Sequence, residues 1–245
     1  MATLVIRVGS RSDKGVRPNN EDTLVADRER DLYLVADGMG GQEAGEMASG
    51  LAAEIIPRAV QDRLAQQETP SDAVQHALAE ANAAIVHAGR NQPAGRRMGT
   101  TAVVAVRQAG TFYVAGLGDS RAYLIRQSKV DQLTVDHSVA QALELNGTLT
   151  AEQARNSPWQ HVLYRFLGCA EMTEGAEVRP FIPEEGDRLL LASDGLTNHI
   201  TADDLSEGGA TFPDPQAWAD HLVRLALSRG SRDNVTCIVV AFDKE

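Results

Sequence analysis

The sequence predicts an α+β layered fold, and three patterns carry the prediction: short apolar runs of strand length, two stretches of helical periodicity, and strands grouped before and after that helical pair. Strict alternation of strand and helix, which builds a parallel sheet, is not the pattern here. Residues 4–8, 23–26 and 32–36 read as short strands parted by turn-rich or charged segments. Ala44, Met47, Ala48, Leu51 and Ile55 then recur at spacings of three and four, as do Val74, Ala77, Leu78, Ala81 and Ile85. Two amphipathic helices are therefore expected to pack side by side or on a sheet. After Gly99 strands return at 101–106, 111–115 and 121–125, with Gln108-Ala109-Gly110 as a hairpin turn, the grammar of an antiparallel sheet. Between 137 and 168 short helical signals mix with Asn146-Gly147 and Ser157-Pro158, which reads as a mobile insertion. Strands follow at 177–182 and 188–192. A helix over 216–227 runs through Trp218, Leu222 and Leu225, and residues 235–242 close as a strand.

Size and composition narrow the class of protein. The 245 residues contain 43% hydrophobic side chains and no internal stretch resembling a flexible linker, so a single domain over 1–245 with a sizeable core is expected. No segment approaches the roughly 18 uninterrupted apolar residues of a membrane span. The start, Met1-Ala2-Thr3-Leu4-Val5-Ile6-Arg7, has neither a basic leader nor a small-residue cleavage site, from which cytoplasmic residence is expected. Two cysteines, Cys169 and Cys237, are too few for a disulfide framework and too far apart for a zinc knuckle, and packing is their expected role. A formal net charge of -11 opposes non-specific binding to nucleic acid, which depends on Lys and Arg neutralising phosphates.

The chemistry lies in a minority of the acids, those set at the ends of apolar runs. Asp37 follows Leu32-Tyr33-Leu34-Val35-Ala36, Asp119 follows the run from Phe112 through Gly118, Asp194 follows Leu189-Leu190-Leu191-Ala192-Ser193, and Asp233 stands just before Val235. Such placement aims several carboxylates at one point from rigid elements, as a hard divalent cation requires. One Asp-Gly pair is an ordinary turn, but the device repeats at Asp37-Gly38 and Asp194-Gly195. Crowded carboxylates repel unless protonated or paired, and an oxygen-only donor set suits magnesium or manganese rather than zinc. Near the start, Arg17-Pro18-Asn19-Asn20-Glu21-Asp22 joins a permanent cation, able to bond phosphate oxygens in pairs, to two more acids. Taken alone it is a polar loop. Beside a two-metal centre, it supplies what phosphoryl transfer needs.

These segments resemble the metal-dependent serine/threonine protein phosphatases of the PPM, or PP2C-like, class, in their compact bacterial form. The match rests on Arg17 to Asp22, Val35-Ala36-Asp37-Gly38-Met39-Gly40-Gly41, Gly99-Thr100-Thr101, Gly118-Asp119-Ser120-Arg121, Asp136-His137-Ser138, Ser193-Asp194-Gly195-Leu196 and Arg232-Asp233-Asn234-Val235-Thr236, in family order across nearly the whole chain. The resemblance implies a four-layer α-β-β-α sandwich of two central antiparallel sheets flanked by helix pairs, with a flap over about 137–173. It implies that Asp37 bridges two Mn²⁺ or Mg²⁺ ions, that the Gly38 carbonyl joins one of them, and that Asp194 and Asp233 complete the first ion's shell. Asp119, with Asp194, matches the position of a third, more weakly held ion. Glu21 and Asp22 match acids acting through metal-bound water, and Arg17 matches the residue that receives the substrate phosphate.

The implied reaction is hydrolysis of phosphoserine or phosphothreonine in a phosphoprotein by a water held between the two ions, without a covalent intermediate. The sequence agrees in lacking the Cys-x5-Arg of thiol phosphatases and the Gly-x4-Gly-Lys-Ser/Thr of nucleotide hydrolases. Two positions depart from the family. Gln42 stands where bacterial relatives commonly carry a histidine after Gly-Met-Gly-Gly (other branches place one at the position of Met39), and Asn156-Ser157-Pro158 replaces a frequent Asn-His-Pro in the flap. The general acid for the leaving alkoxide is thus left open among His137, His161, His199 and a metal-bound water. The rival reading is a catalytically weak or silent phosphoprotein-binding domain of the same fold. By resemblance the partner is a phosphorylated protein in a serine/threonine kinase circuit, with neither nucleic acid nor membrane, and the expected state is a monomer.

Overall fold

The computed structural model describes residues 4–41, 43–90, 98–170 and 175–244. In chain order its elements are β1 (Leu4–Asp13), β2 (Asp22–Asp27), β3 (Leu32–Met39), α1 (Glu43–Ala65), α2 (Pro70–Gly89), β4 (Gly99–Thr100), β5 (Ala102–Gln108), β6 (Thr111–Leu117), β7 (Arg121–Arg126) and β8 (Lys129–Gln132). There follow α3 (Val139–Leu145), α4 (Ala151–Arg155), β9 (Val178–Phe181), β10 (Arg188–Ala192), α5 (Asp194–Thr197), α6 (Ala202–Thr211), α7 (Pro215–Ser228) and β11 (Val235–Lys244).

The strands form two antiparallel sheets. One runs β1-β11-β10-β7-β8, the other β2-β3-β5-β6-β9 with β4 beside β3. Side chains alternate along each strand, and in the central strands both faces are covered, so the apolar runs are continuous. In β3, Leu32, Leu34 and Ala36 join α1 and α2 in one core, whereas Tyr33 and Val35 point into a second core between the sheets. In β11, Ile238, Val240 and Phe242 enter that inter-sheet core, while Val235, Cys237 and Val239 meet Trp218 and Leu222 of α7 in a third. Three cores between four layers give the α-β-β-α sandwich. Truncating one of the fully buried leucines, such as Leu34 or Leu191, to alanine costs about 2–5 kcal/mol.

Local chemistry sets the element ends. Thr69 caps α2 by accepting from the Asp72 backbone with Pro70 in the first turn, and Asp214 and Pro215 open α7 in the same way. The β5–β6 hairpin turns on Ala109 and Gly110, with φ of 49° and 86°, and Gln108 pairs with Thr111. The segment expected to be a mobile insertion contains two short helices, α3 capped by Ser138 and α4 closed by a capping box between Thr150 and Gln153. Residues 171–173 of the expected flap lie outside the described residues. No helix among those described is long and apolar enough to cross a membrane.

Candidate active site

The sheet register converges the acids at one end of the sandwich. Ala192 of β10 pairs with both Arg121 of β7 and Cys237 of β11, so the chain leaving β10 at Asp194, entering β7 after Asp119 and entering β11 after Asp233 does so at one edge. In the facing sheet Asp37 of β3 lies directly across from Asp22 of β2. Like charges in opposed positions destabilise a strand pair unless something positive lies between them. Asp22 is buried, and burial, reinforced by Asp194 and Asp233, pushes its carboxyl up to about 7, against the lowering effect of hydrogen bonds including one from Ser193. Asp37 is raised well above the ordinary carboxylate range by burial and by the charges of Asp22, Asp194, Asp119 and Asp233. Burial and the charges of Asp194 and Asp136 carry Asp119 to about 7. Asp194 is the exception: burial pushes it up, but His161 and a hydrogen bond shared with Asp37 hold it below its usual value.

Neutral groups position this cluster by gripping the backbone. Thr101 accepts from the Asp37 amide at 3.0 Å and donates its own amide to the Asp37 carbonyl at 2.9 Å, which also accepts from the Thr100 hydroxyl at 2.9 Å. Ser193 donates to Asp22 Oδ2 at 2.8 Å, tying the two sheets together. Asn234 accepts from the Glu21 amide at 2.8 Å and donates to the carbonyls of Lys14 and Asn19, stitching the 14–21 loop to the start of β11. Two glycines permit this closeness. A Cβ on Gly38 would lie 2.2 Å from the Gly45 carbonyl oxygen, and one on Gly195 would lie 2.0 Å from that of Asn234.

Arg17 reaches the same point from the 14–21 loop, donating to Asp233 Oδ2 at 2.7 Å and to the Arg232 carbonyl at 3.2 Å. Half its side chain remains exposed. Below Asp119, the Gly118 amide donates to His137 Nδ1 at 3.2 Å and the His137 amide to the Gly118 carbonyl at 2.8 Å. Asp136 accepts a bidentate pair from Arg121, at 2.9 and 2.6 Å.

The residues present fit divalent cations. Asp22 Oδ1 is buried without a hydrogen-bond partner among the described residues, Asp22 lies across from Asp37, and the acids gathered around them offer oxygen donors, the set that suits magnesium or manganese. The structure brings Arg17, Asp22, Asp37, Asp119, Asp194 and Asp233 together at this end of the sandwich, with Glu21 next to Asp22 in the chain. The expected role of residue 42 concerns Gln42, which lies outside the described residues. Of the three histidines, His137 is buried and neutral: burial, with help from Arg165, lowers it to about 4. His199 lines the cleft. His161 comes from the flap and sets Nδ1 3.5 Å from Asp194 Oδ2, and one ligand atom each from Asp119, His161 and Asp194 lie within 4.8 Å of one another. The sequence marks His161 only as a candidate proton donor, because nothing in its flanking residues brings it to Asp119. The site opens into a cleft of about 1100 Å³ between the flap and the chain from Asp194 to Ala202.

This fold and these carboxylates have known counterparts. The chain belongs to the protein phosphatase 2C family, whose model matches residues 7–146. It is 34% identical over 240 residues to the serine/threonine phosphatase stp of Listeria monocytogenes, with 95% of this chain and 94% of that protein covered. It is 35% identical over 245 residues to the serine/threonine protein phosphatase PstP of Mycobacterium tuberculosis, and there it spans 97% of its own length but 45% of the relative's. The solved catalytic domain of a serine/threonine protein phosphatase PstP, in complex with two manganese ions, superposes with a TM-score of 0.83 at 32% identity over 99% of this chain and 100% of that one.

Proposed function

We propose that the 245 residues act as one phosphatase domain that hydrolyses phosphoserine and phosphothreonine in phosphoproteins with the help of Mn²⁺ or Mg²⁺. The observation that carries this reading is the pair Asp22 and Asp37, facing across two strands with a buried unpartnered oxygen and three further aspartates around them. Asp37, the Gly38 carbonyl, Asp194 and Asp233 hold two ions, with Glu21 and Asp22 as flanking acceptors. Asp119 and Asp194, joined by the flap nitrogen of His161, hold a third. Bound there, such ions lower the pKa of water toward neutrality and offset charge on the phosphoryl oxygens. The chain's own part is to orient and to exclude. Arg17 turns its second face to the phosphate, the Thr100–Thr101 clamp fixes Asp37, and the flap walls the cleft. The manganese-bound PstP domain supports the choice of metal. A monomer working against a serine/threonine kinase in the cytoplasm is the setting we propose.

The test is hydrolysis of a phosphothreonine peptide with Mn²⁺. Turnover that a chelator abolishes, and that Asp37→Asn or Asp194→Asn each cuts by about 10³-fold without unfolding, is expected. A folded protein inert across metals and pH sinks the reading, and full turnover in either variant removes the assigned metal roles.

A further inference from the structure

The arginines of this acidic chain are, for the most part, already spent on its own carboxylates. Arg7 and Arg188 bond Asp243, Arg58 bonds Glu80, Arg107 bonds Asp31, Arg121 bonds Asp136, Arg126 bonds Asp187 and Glu184, and Arg229 bonds Asp204. Arg155 and Arg232 are different. Both are exposed, both line the cleft, and among the described residues neither guanidinium makes a hydrogen bond or ion pair. They come from separate parts of the chain: Arg155 from the last turn of α4 in the flap, Arg232 from the loop entering β11. Arg90 and Arg224, which are also uncommitted, do not line the cleft.

The remaining charges of the cleft cancel or face the metals. Asp136 is matched by Arg121 and Asp233 by Arg17, Asp119 and Asp194 belong to the cation cluster, and among the described residues that line the cleft only Glu144, bonded by Gln141, stands against the two free arginines. Once cations fill the inner end, the outer cleft is left with a surplus of fixed positive charge. An arginine fork matches a carboxylate in paired, charge-assisted bonds, and a cleft concentrates the field of such groups.

We infer that Arg155 and Arg232 select substrates whose phosphorylated residue is flanked by Asp or Glu, so the partner is an acidic phosphopeptide segment laid along the cleft. The inference rests on the phosphatase reading of the same site. Its test compares phosphothreonine peptides identical except for flanking Glu, Ala or Lys, at low ionic strength with Mn²⁺. Both kcat/KM and binding by fluorescence anisotropy are measured for the wild type, Arg155→Ala, Arg155→Lys and the double variant Arg155→Ala/Arg232→Ala. The wild type is expected to rank Glu above Ala above Lys, with each arginine contributing about threefold, the size of an exposed ion pair, and mainly through KM. Arg155→Lys keeps most of the preference, Arg155→Ala leaves the alanine peptide's turnover unchanged, and added salt compresses the ranking. A flat ranking in wild-type binding, or an acidic preference that survives the double variant, overturns the inference. Turnover of the alanine peptide separately decides whether the chain is a phosphatase, because the anisotropy ranking needs no hydrolysis.

Discussion

Asp22 and Asp136 are buried to the same degree, 8% and 7% exposed, at the same end of the molecule, yet the chain surrounds them in opposite ways. Asp136 accepts a fork of bonds from Arg121 and one further bond from Gln132 Nε2. Asp187, 1% exposed, is matched in the same manner by Arg126. Asp22 instead faces Asp37, receives a hydroxyl bond from Ser193 on Oδ2, and keeps Oδ1 buried with no hydrogen-bond partner among the described residues. Arginines are plentiful among the described residues, and none of these stands between Asp22 and Asp37. A permanent internal cation would settle the charge and close the position, whereas carboxylates left facing each other can be settled only from outside.

Removing one of the facing charges gives the sharpest test. Asp37→Asn is expected to cut Mn²⁺-dependent turnover by about 10³-fold while raising the melting temperature of the chelator-treated protein, because one repelling charge is gone. Mn²⁺ should raise the wild-type melting temperature by mass action and move the variant much less. A melting temperature in chelator lower than that of the wild type would show that Asp37 is settled internally, as Asp136 is. The mirror experiment is Asp136→Ala, which leaves the half-buried Arg121 without its carboxylate at a cost of about 2 kcal/mol, read as a shift in the urea midpoint at unchanged slope. A cost below 1 kcal/mol would erase the distinction between the two kinds of carboxylate.

The two kinds of carboxylate also differ in how they respond to pH. A carboxyl whose folded pKa is raised, as for Asp22 and Asp119 at about 7, binds its proton more tightly folded than unfolded. Its contribution to stability is complete below the unfolded value and is lost as pH rises through about 7. Asp204, held below its usual value by Arg229, has the opposite linkage, and its contribution stays constant above pH 5. His137, kept neutral down to about 4, loses stability only as pH falls below about 6.5. Between pH 6.5 and 8 the metal-free protein should therefore lose stability by up to about 1.4 kcal/mol per pH unit for each proton released. The Mn²⁺-loaded protein should stay flat, and parallel melting curves in chelator and Mn²⁺ over that interval would count against a carboxylate cluster built for cations.

Much of this was legible in the sequence because the elements holding the site are chemically plain. The runs ending at Asp37 and Asp194 are strands buried on both faces, and Ala109-Gly110 announces its turn. Other elements carry no such mark. The β7–β8 turn places Gln127 and Ser128 at φ of 49° and 66°, a conformation usually signalled by Gly, Asn or Asp, so β8 goes unread. Helix α6 contains Gly208 and Gly209, which read as breakers. Gly208 is required because a Cβ there would come within 2.3 Å of Trp218 Nε1. The bond from Arg17 to Asp233 joins residues 216 positions apart, and no local pattern encodes it. The site's acids are visible one by one, but their pairing, opposition and neutral clamps come only with the register.

His161 gives the smallest and most discriminating effect. It is the flap's own contribution to a site otherwise made by the sheets, and it brings nitrogen into an all-oxygen donor set. Nitrogen shifts preference from magnesium toward manganese and later first-row metals. His161→Ala should keep two tightly bound Mn²⁺ equivalents and weaken a third by about tenfold, with a few-fold loss of turnover. Pulsed electron-spin-echo measurements on the Mn²⁺ protein should show nitrogen modulation in the wild type that the variant lacks. If the modulation is absent from the wild type at three equivalents, His161 is a hydrogen-bond partner of Asp194 and the flap stands on the structural side of the comparison. If it is present, flap and sheets share one ion, and occupancy of that ion sets how firmly the cleft is walled.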